Sequence, residues 1–286
     1  MNIRDVEGFV IDLDGTVYKG NQAIDGVVQT IAYVRSIGKR IVFLSNRGNI
    51  SRAMCHDNLK RMGLDVHEEE IILSSTVAAA YIKRHYEEAE VWVLGDEGLR
   101  DELRVTGVRL ASNPESADWL LITLHETLTY RDLNEAFRAV RHGARIMATN
   151  EDRMFPSENG LSIDVAGMIG AITSATGQEV ELVIGKPSAI MAEAALSKLS
   201  LPPEQVLMIG DSVESDIRLG KRAGMKTALV LTGAWTREEA EASPVEPDWI
   251  WDSLAELQLL MAKQHEEDGT KHDTTVEQNS TKYYGP

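Results

Sequence analysis

The sequence predicts an α/β protein built on a parallel sheet, and three patterns predict it. Apolar runs of strand length alternate with amphipathic helical patterns through most of the 286 residues, the order expected of βαβ units with right-handed crossovers. Several runs are continuously apolar, as strands covered on both faces are. Small, acidic and hydroxyl-bearing residues follow directly on four of the runs, and ligands of open α/β sheets bind outside the carboxyl ends of strands.

The first strand is expected over 9–13, opened by Phe9-Val10-Ile11. A helix follows, with Val27, Val28, Ile31, Val34 and Ile37 on one face and Gly38 closing it. Strands are then expected at 40–44, 71–73, 91–94 and 119–124. The next helix carries Leu133, Ala136, Phe137 and Val140, with Thr129 placed to cap its N-terminus. Runs at 145–149, 181–184, 206–209 and 227–231 complete the strands. Residues 265–286 are rich in Glu, Asp, Thr, Lys and Gln without apolar periodicity, which predicts a disordered tail.

Acidic residues number 45 and basic residues 29, a formal charge of −16. Such a chain repels nucleic-acid phosphates unless its cations cluster, and no basic run occurs. The same field opposes a small anionic substrate, so a phosphate ester needs cations supplied locally. No run approaches the ~18 apolar residues of a membrane span. The first residues, Met1-Asn2-Ile3-Arg4-Asp5, lack a signal-peptide layout, so a cytoplasmic protein is expected. The single cysteine excludes an intrachain disulfide framework. Cys55 shares a helical face with Leu59 and Met62 and reads as a buried apolar residue, while Met54, Met62, Met168 and Met191 read as core filler. The length suggests two domains at one per ~150 residues.

Four strand-end signals carry the chemistry. Asp12-Leu13-Asp14-Gly15-Thr16 follows Phe9-Val10-Ile11, and Ser45-Asn46-Arg47 follows Ile41-Val42-Phe43-Leu44. Gly185-Lys186-Pro187-Ser188 follows Leu182-Val183-Ile184, and Gly210-Asp211-Ser212, with Asp216 beyond, follows Val206-Leu207-Met208-Ile209. Two carboxylates as close as Asp12 and Asp14 repel each other unless a cation or a shared proton intervenes, so they call for a metal, an acid/base role, or both. If the four strands are neighbours in one sheet, their ends converge on one crevice holding several carboxylates and a lysine. Carboxylate oxygens suit Mg²⁺, which is usually held by one or two carboxylates plus a substrate phosphate. A carboxylate such as Asp12 can then act as a nucleophile and divide a hard displacement into two easier ones. Taken singly, each signal also has a plain structural reading as a turn, a helix cap or a strand end.

These residues closely resemble the four motifs of the haloacid-dehalogenase-like phosphatase superfamily, over roughly residues 8–262. The wider pattern resembles its nitrophenyl-phosphatase (NagD-type) branch, and the runs around Ser45-Asn46-Arg47-Gly48-Asn49 and Leu124-His125-Glu126-Thr127 are similar to sugar phosphatases. The resemblance implies a Rossmann-like three-layer core, residues 1–78 and 180–264, with an inserted α/β cap, residues 79–179. It implies a Mg²⁺-dependent phosphatase for small metabolites, sugar phosphates foremost, that forms an aspartyl-phosphate and also hydrolyses p-nitrophenyl phosphate.

By resemblance, Asp12 is the nucleophile and Asp14 the acid and then base. Mg²⁺ is held by the Asp12 carboxylate, the Asp14 carbonyl and Asp211, with Asp216 orienting metal waters or pairing with Lys186. Ser45 and Asn46 hydrogen-bond the phosphoryl oxygens and Lys186 offsets their charge. Arg47 stands where the branch commonly has Asn, and it either adds a cation to the substrate or pairs with an acid. His125, Asn150 and Asp152 are expected on cap loops that choose the substrate. The implied partner is a small phosphorylated metabolite, with neither nucleic acid nor membrane, and exposed cap surfaces leave room for a homodimer. A dehalogenase has no need of Asp14 and Asp211. A phosphosugar mutase is an alternative, but the roughly thirty residues between Asp14 and Ser45 leave no space for the small helical cap such mutases carry. A non-catalytic Mg²⁺- or phosphate-binding regulatory module is the other alternative.

Overall fold

A computed structural model of the chain describes residues 3–157 and 160–262. The tail expected from residue 265 lies outside them. In chain order the elements begin with β1 (Gly8–Ile11), a small hairpin of β2 (Tyr18–Lys19) and β3 (Gln22–Ala23), α1 (Val27–Ser36), β4 (Arg40–Ser45), α2 (Arg52–Arg61), β5 (Ile71–Leu73) and α3 (Ser74–His85). There follow β6 (Glu90–Leu94), α4 (Glu97–Thr106), β7 (Arg109–Leu110), β8 (Trp119–Ile122), α5 (Tyr130–Arg141), β9 (Arg145–Ala148), a hairpin of β10 (Met154–Ser157) and β11 (Gly160–Ile163), α6 (Val165–Thr176) and β12 (Val180–Val183). The chain then runs through α7 (Ala189–Leu199), β13 (Val206–Gly210), α8 (Arg218–Ala223), β14 (Lys226–Val230), α9 (Arg237–Glu241) and β15 (Trp249–Trp251).

Two parallel sheets organise these elements. The first has six strands in the order β15-β14-β13-β1-β4-β5, and the second has five in the order β12-β9-β8-β6-β7. In the first, side chains alternate between two apolar layers. Phe9 and Ile11 face one cluster with Phe43 and Ile209, while Val10 faces another with Val42 and Met208. Each layer is closed by helices, which makes the three-layer α/β core expected of continuously apolar strands. The second cluster continues into Val91, Val93, Trp119, Leu121 and Met147 of the second sheet, so the two sheets share an apolar seam. The far side of the second sheet packs Leu120, Ile122 and Ile146 against Ala136, Ala139, Met168 and Ile172 of α5 and α6.

Local signals explain the ends of the elements. Gly38, at φ +76°, turns the chain out of α1. Thr129 caps α5 reciprocally: its hydroxyl accepts from Asp132 N, and the Asp132 carboxylate accepts from Thr129 N at 2.8 Å. Cys55 is buried as expected, and so are Met168 and Met191, but Met54 is exposed. Among the described residues no helix is long and apolar enough to cross a membrane.

One strand is placed differently from the expectation. The run at 181–184, assigned above to the core segment beginning at residue 180, is β12, and it pairs in parallel with β9 in the second sheet. The reason lies in what precedes it: α6 covers the second sheet, so the right-handed crossover from β9 through α6 delivers the chain back beside β9. The chain reaches the six-stranded unit only after residue 183. Five further short strands went unanticipated in the hairpins and at β7, because pieces of two to four residues are too brief to show a period. The tripeptide Trp249-Ile250-Trp251 is also a strand, β15, at the edge of the first sheet.

Candidate active site

The carboxyl ends of β1, β4 and β13 lie side by side in the six-stranded sheet, so the residues that follow them share one floor. Asp12 N makes the last rung of the ladder, donating to Ile209 O at 2.9 Å, and the chain then turns tightly, with Gly15 N donating to Tyr18 O at 2.8 Å. Gly15 sits at φ +79°, and a Cβ there would lie 2.1 Å from an Asp211 carboxylate oxygen. A Cβ on Gly233 would meet the same oxygen at 2.0 Å. Both glycines are therefore required for Asp211 to occupy its place. Gly210 does the same for Asp216, whose carboxyl carbon would lie 2.2 Å from a Cβ on that residue.

Lys186 arrives from the loop after β12 and still reaches this floor. Its backbone is pinned by Asn46, whose Oδ1 accepts from Lys186 N at 2.7 Å while Nδ2 donates to Lys186 O at 3.2 Å. Gly185 permits the approach, since a Cβ there would lie 2.4 Å from Thr149 O. The Lys186 ammonium then uses all three donors: Asp12 Oδ1 at 2.5 Å, Asp216 Oδ1 at 2.6 Å and Leu44 O at 3.2 Å. Burial alone would lower the Lys186 pKa, but Asp12 and Asp216 outweigh it and hold the ammonium charged above its ordinary range.

Burial pushes the Asp12 carboxyl well up, against the pull of Lys186 and with Asp216 and Asp211 adding to the rise. Burial likewise pushes Asp211 up to about 7, with Asp216 adding and Lys186 opposing. Asp12, Asp211 and Asp216 each offer an oxygen within 4.8 Å of the others. Three carboxylates facing one ammonium leave two negative charges uncompensated when all are ionised. Hard oxygen donors at this spacing, short of two positive charges, fit a divalent cation.

Asp14 is held differently. The Arg47 guanidinium grips it through two nitrogens, Nη2 to Oδ1 at 2.9 Å and Nε to Oδ2 at 3.0 Å, and Tyr18 OH donates to Oδ2 at 3.0 Å. Asp14 in turn holds Arg47 above its ordinary range and helps burial raise Tyr18 well above its own. Of the two roles open to Arg47, the structure shows the pairing with an acid. Ser45 is buried at the end of β4, and its Oγ accepts from Arg47 N at 3.1 Å.

A chamber of about 250 Å³ lies above this floor. The acids Asp12, Asp14, Asp211 and Asp216, together with Ser45, Asn46, Arg47 and Lys186, line it from the six-stranded unit. Asn150 and Asp152 line it from the five-stranded unit. Asp152 Oδ2 accepts from both Asn150 Nδ2 at 2.8 Å and Asn46 Nδ2 at 2.9 Å, tying the two units together across the chamber. Asn46 is thus fully engaged by Lys186 and Asp152, and its side chain has no donor left for the phosphoryl oxygens expected of it.

His125 is placed apart from the other cap candidates. It does not line the chamber, where its neighbour Leu124 does. Its Nδ1 lies 3.0 Å from Asp96 Oδ1 and its Nε2 3.6 Å from Asp132 Oδ2. Sequence reasoning also passed over Asp164, Phe155 and Trp235, all of them in the chamber wall. Asp164 carried a usable signal: a short polar residue immediately before the apolar-periodic run of α6 is an N-cap candidate, and its Oδ1 accepts from Val165 N at 2.7 Å. Burial raises Asp164 to about 6, with Asp152 adding and Arg47 opposing.

The sequence profile of the haloacid dehalogenase-like hydrolase family matches residues 9–109, and that of a related HAD-hydrolase-like family matches residues 183–257. The sugar-phosphatase AraL of Bacillus subtilis is 54% identical over 88% of this chain and 92% of its own length. The structure of a p-nitrophenyl phosphatase from Archaeoglobus fulgidus superposes with a TM-score of 0.83 at 34% identity, covering 90% of this chain and 99% of that one. A glycerol phosphate phosphatase from Mycobacterium tuberculosis, in complex with calcium, superposes with a TM-score of 0.81 at 30% identity, covering 89% of this chain and 75% of that one.

Proposed function

The chain belongs to the haloacid dehalogenase-like hydrolases and is a phosphatase, and from that premise we propose that it hydrolyses sugar phosphates through an aspartyl-phosphate on Asp12 with Mg²⁺ as cofactor. One observation carries the reading. A buried ammonium holds Asp12 beside two further carboxylates at the floor of a chamber the size of a small metabolite. The sugar class is supported by the name of the relative at 54% identity.

Asp12, Asp211 and the Asp14 carbonyl would hold Mg²⁺, with Asp216 orienting its waters and pairing with Lys186. When bound, the ion supplies positive charge against the phosphoryl oxygens of an otherwise acidic protein. The Asp12 carboxylate oxygen attacks phosphorus as the bond to the leaving oxygen breaks, and Asp14 donates a proton to that oxygen. Asp14 then takes a proton from water, whose oxygen attacks phosphorus, releasing inorganic phosphate and restoring the Asp12 carboxylate. Lys186 keeps Asp12 ionised and aimed for the attack, and stands beside the acyl phosphate that it becomes. Ser45 Oγ, at the end of β4, donates to a phosphoryl oxygen. Asp14 must loosen its grip on Arg47 to reach the leaving oxygen, and the released guanidinium is then free to face the same phosphoryl group. The five-stranded unit acts as the cap that excludes water, with Asn150 and Asp152 in its wall.

The reading is tested by following phosphate release from p-nitrophenyl phosphate and from glucose 6-phosphate at neutral pH. Removal of divalent ions by EDTA is expected to lower both rates at least 100-fold, and added Mg²⁺ to restore them. Rates indifferent to EDTA, or no release in saturating Mg²⁺, would reject it.

A further inference from the structure

We propose that Asp164 reads the leaving group: its free carboxylate oxygen accepts a hydrogen bond from a hydroxyl of the sugar, selecting polyhydroxylated phosphate esters over those whose leaving group has no donor. The inference rests on the phosphatase reading above and names the substrate class more sharply.

The other two polar side chains of the cap wall, Asn150 and Asp152, each make two hydrogen bonds among the described residues. Asn150 receives the Thr149 hydroxyl and donates to Asp152, and Asp152 also receives Asn46. Asp164 differs. Its backbone is fixed, with N donating to Arg153 O at 3.1 Å, and Oδ1 is committed to capping α6 through Val165 N at 2.7 Å. Oδ2 accepts no hydrogen bond among the described residues, yet the side chain lines the chamber.

Asp14 and Arg47 line the same chamber from the core, and with Asp152 of the cap they are the charged groups that act on Asp164. Phosphorus bound at Asp12 places the leaving group, and nothing else of the substrate, between Asp14 and the cap. Met154, Phe155 and Val165 beside Asp164 give that space apolar walls. Asp164 is half-buried, and a hydroxyl donor on the leaving group can take its open acceptor in place of water.

The test is a ratio of kcat/KM values, glucose 6-phosphate to p-nitrophenyl phosphate, in saturating Mg²⁺. Ser replaces Asp as an N-cap of α6 but is too short to reach the substrate. The Asp164→Ser variant is expected to lower the ratio 10- to 100-fold, the usual worth of one charge-assisted hydrogen bond. Should that variant not fold, Asp164→Asn, which keeps cap and size and loses the charge, is read by the same ratio. An unchanged ratio, with both substrates falling together or neither falling, overturns the inference. A wild-type protein that hydrolyses p-nitrophenyl phosphate but not glucose 6-phosphate also overturns it, and leaves the phosphatase reading intact. Hydrolysis of neither substrate removes both.

Discussion

Asp12→Asn is expected to lower kcat for phosphate release by at least about 10⁴-fold, the scale on which loss of a covalent nucleophile acts. The amide has the size and shape of the carboxylate, so the rung from Asp12 N to Ile209 O and the turn beyond it survive. What disappears is the anionic oxygen that must form a bond to phosphorus. Stability should not follow activity downward. Burial disfavours the charged Asp12 and pushes its pKa well up, so the ionised group opposes folding near neutral pH and a neutral amide relieves that opposition. The variant should therefore melt at or above the wild-type temperature while releasing almost no phosphate. Initial rates alongside thermal melts check both halves, and activity within tenfold of wild type would contradict the nucleophile assignment.

Lys186→Met is expected to damage fold and turnover together. Methionine approximates the stem of lysine but removes the ammonium that Asp12, Asp216 and Leu44 O share. The carboxylates are then left without their buried counter-charge, a change worth about 3–5 kcal/mol of stability. For a chain of this size that corresponds to a melting temperature lower by roughly 10 °C. Turnover should fall by at least about 10³-fold, since Asp12 loses the group that keeps it ionised and aimed. The contrast with Asp12→Asn is diagnostic: one variant loses activity at constant stability, the other loses both. An unchanged melt for Lys186→Met would mean that the carboxylates are neutral in the folded protein.

Much of this arrangement is legible in the sequence because it is carried by local backbone patterns. Apolar runs ending in Asp12-Leu13-Asp14 and in Gly210-Asp211 mark strands whose tips must be close if the sheet is parallel, and β1 and β13 do pair. The glycines at 15, 210 and 185 stand where a side chain would strike the site, and all three lie within the motifs. What local pattern cannot carry is the choice of partner across long stretches of chain. Asn46 reads as a phosphate ligand, yet it closes a hydrogen bond to Asp152, 106 residues away. Arg47 could turn to substrate or to acid, and only the fold brings Asp14 within its reach. Ile184 ends an apolar run like the others, but β12 belongs to the second sheet because α6 does. His125 stands next to a chamber residue and faces two carboxylates instead. Asp164, a cap to its own helix in the sequence, becomes part of the chamber only when α6 is laid over the site.

The formation of a phosphoryl bond at Asp12 can be measured directly with Asp14→Asn and p-nitrophenyl phosphate. The nitrophenolate departs without needing a proton, so the first half-reaction proceeds in this variant while the second, which needs a base, is slowed. Rapid acid quenching in Mg²⁺ followed by mass spectrometry should show one phosphoryl group per chain, on Asp12, accompanied by a burst of nitrophenol of equal amount. A burst with the phosphoryl group on any other residue, or steady turnover from a chain that never carries one, would contradict the account.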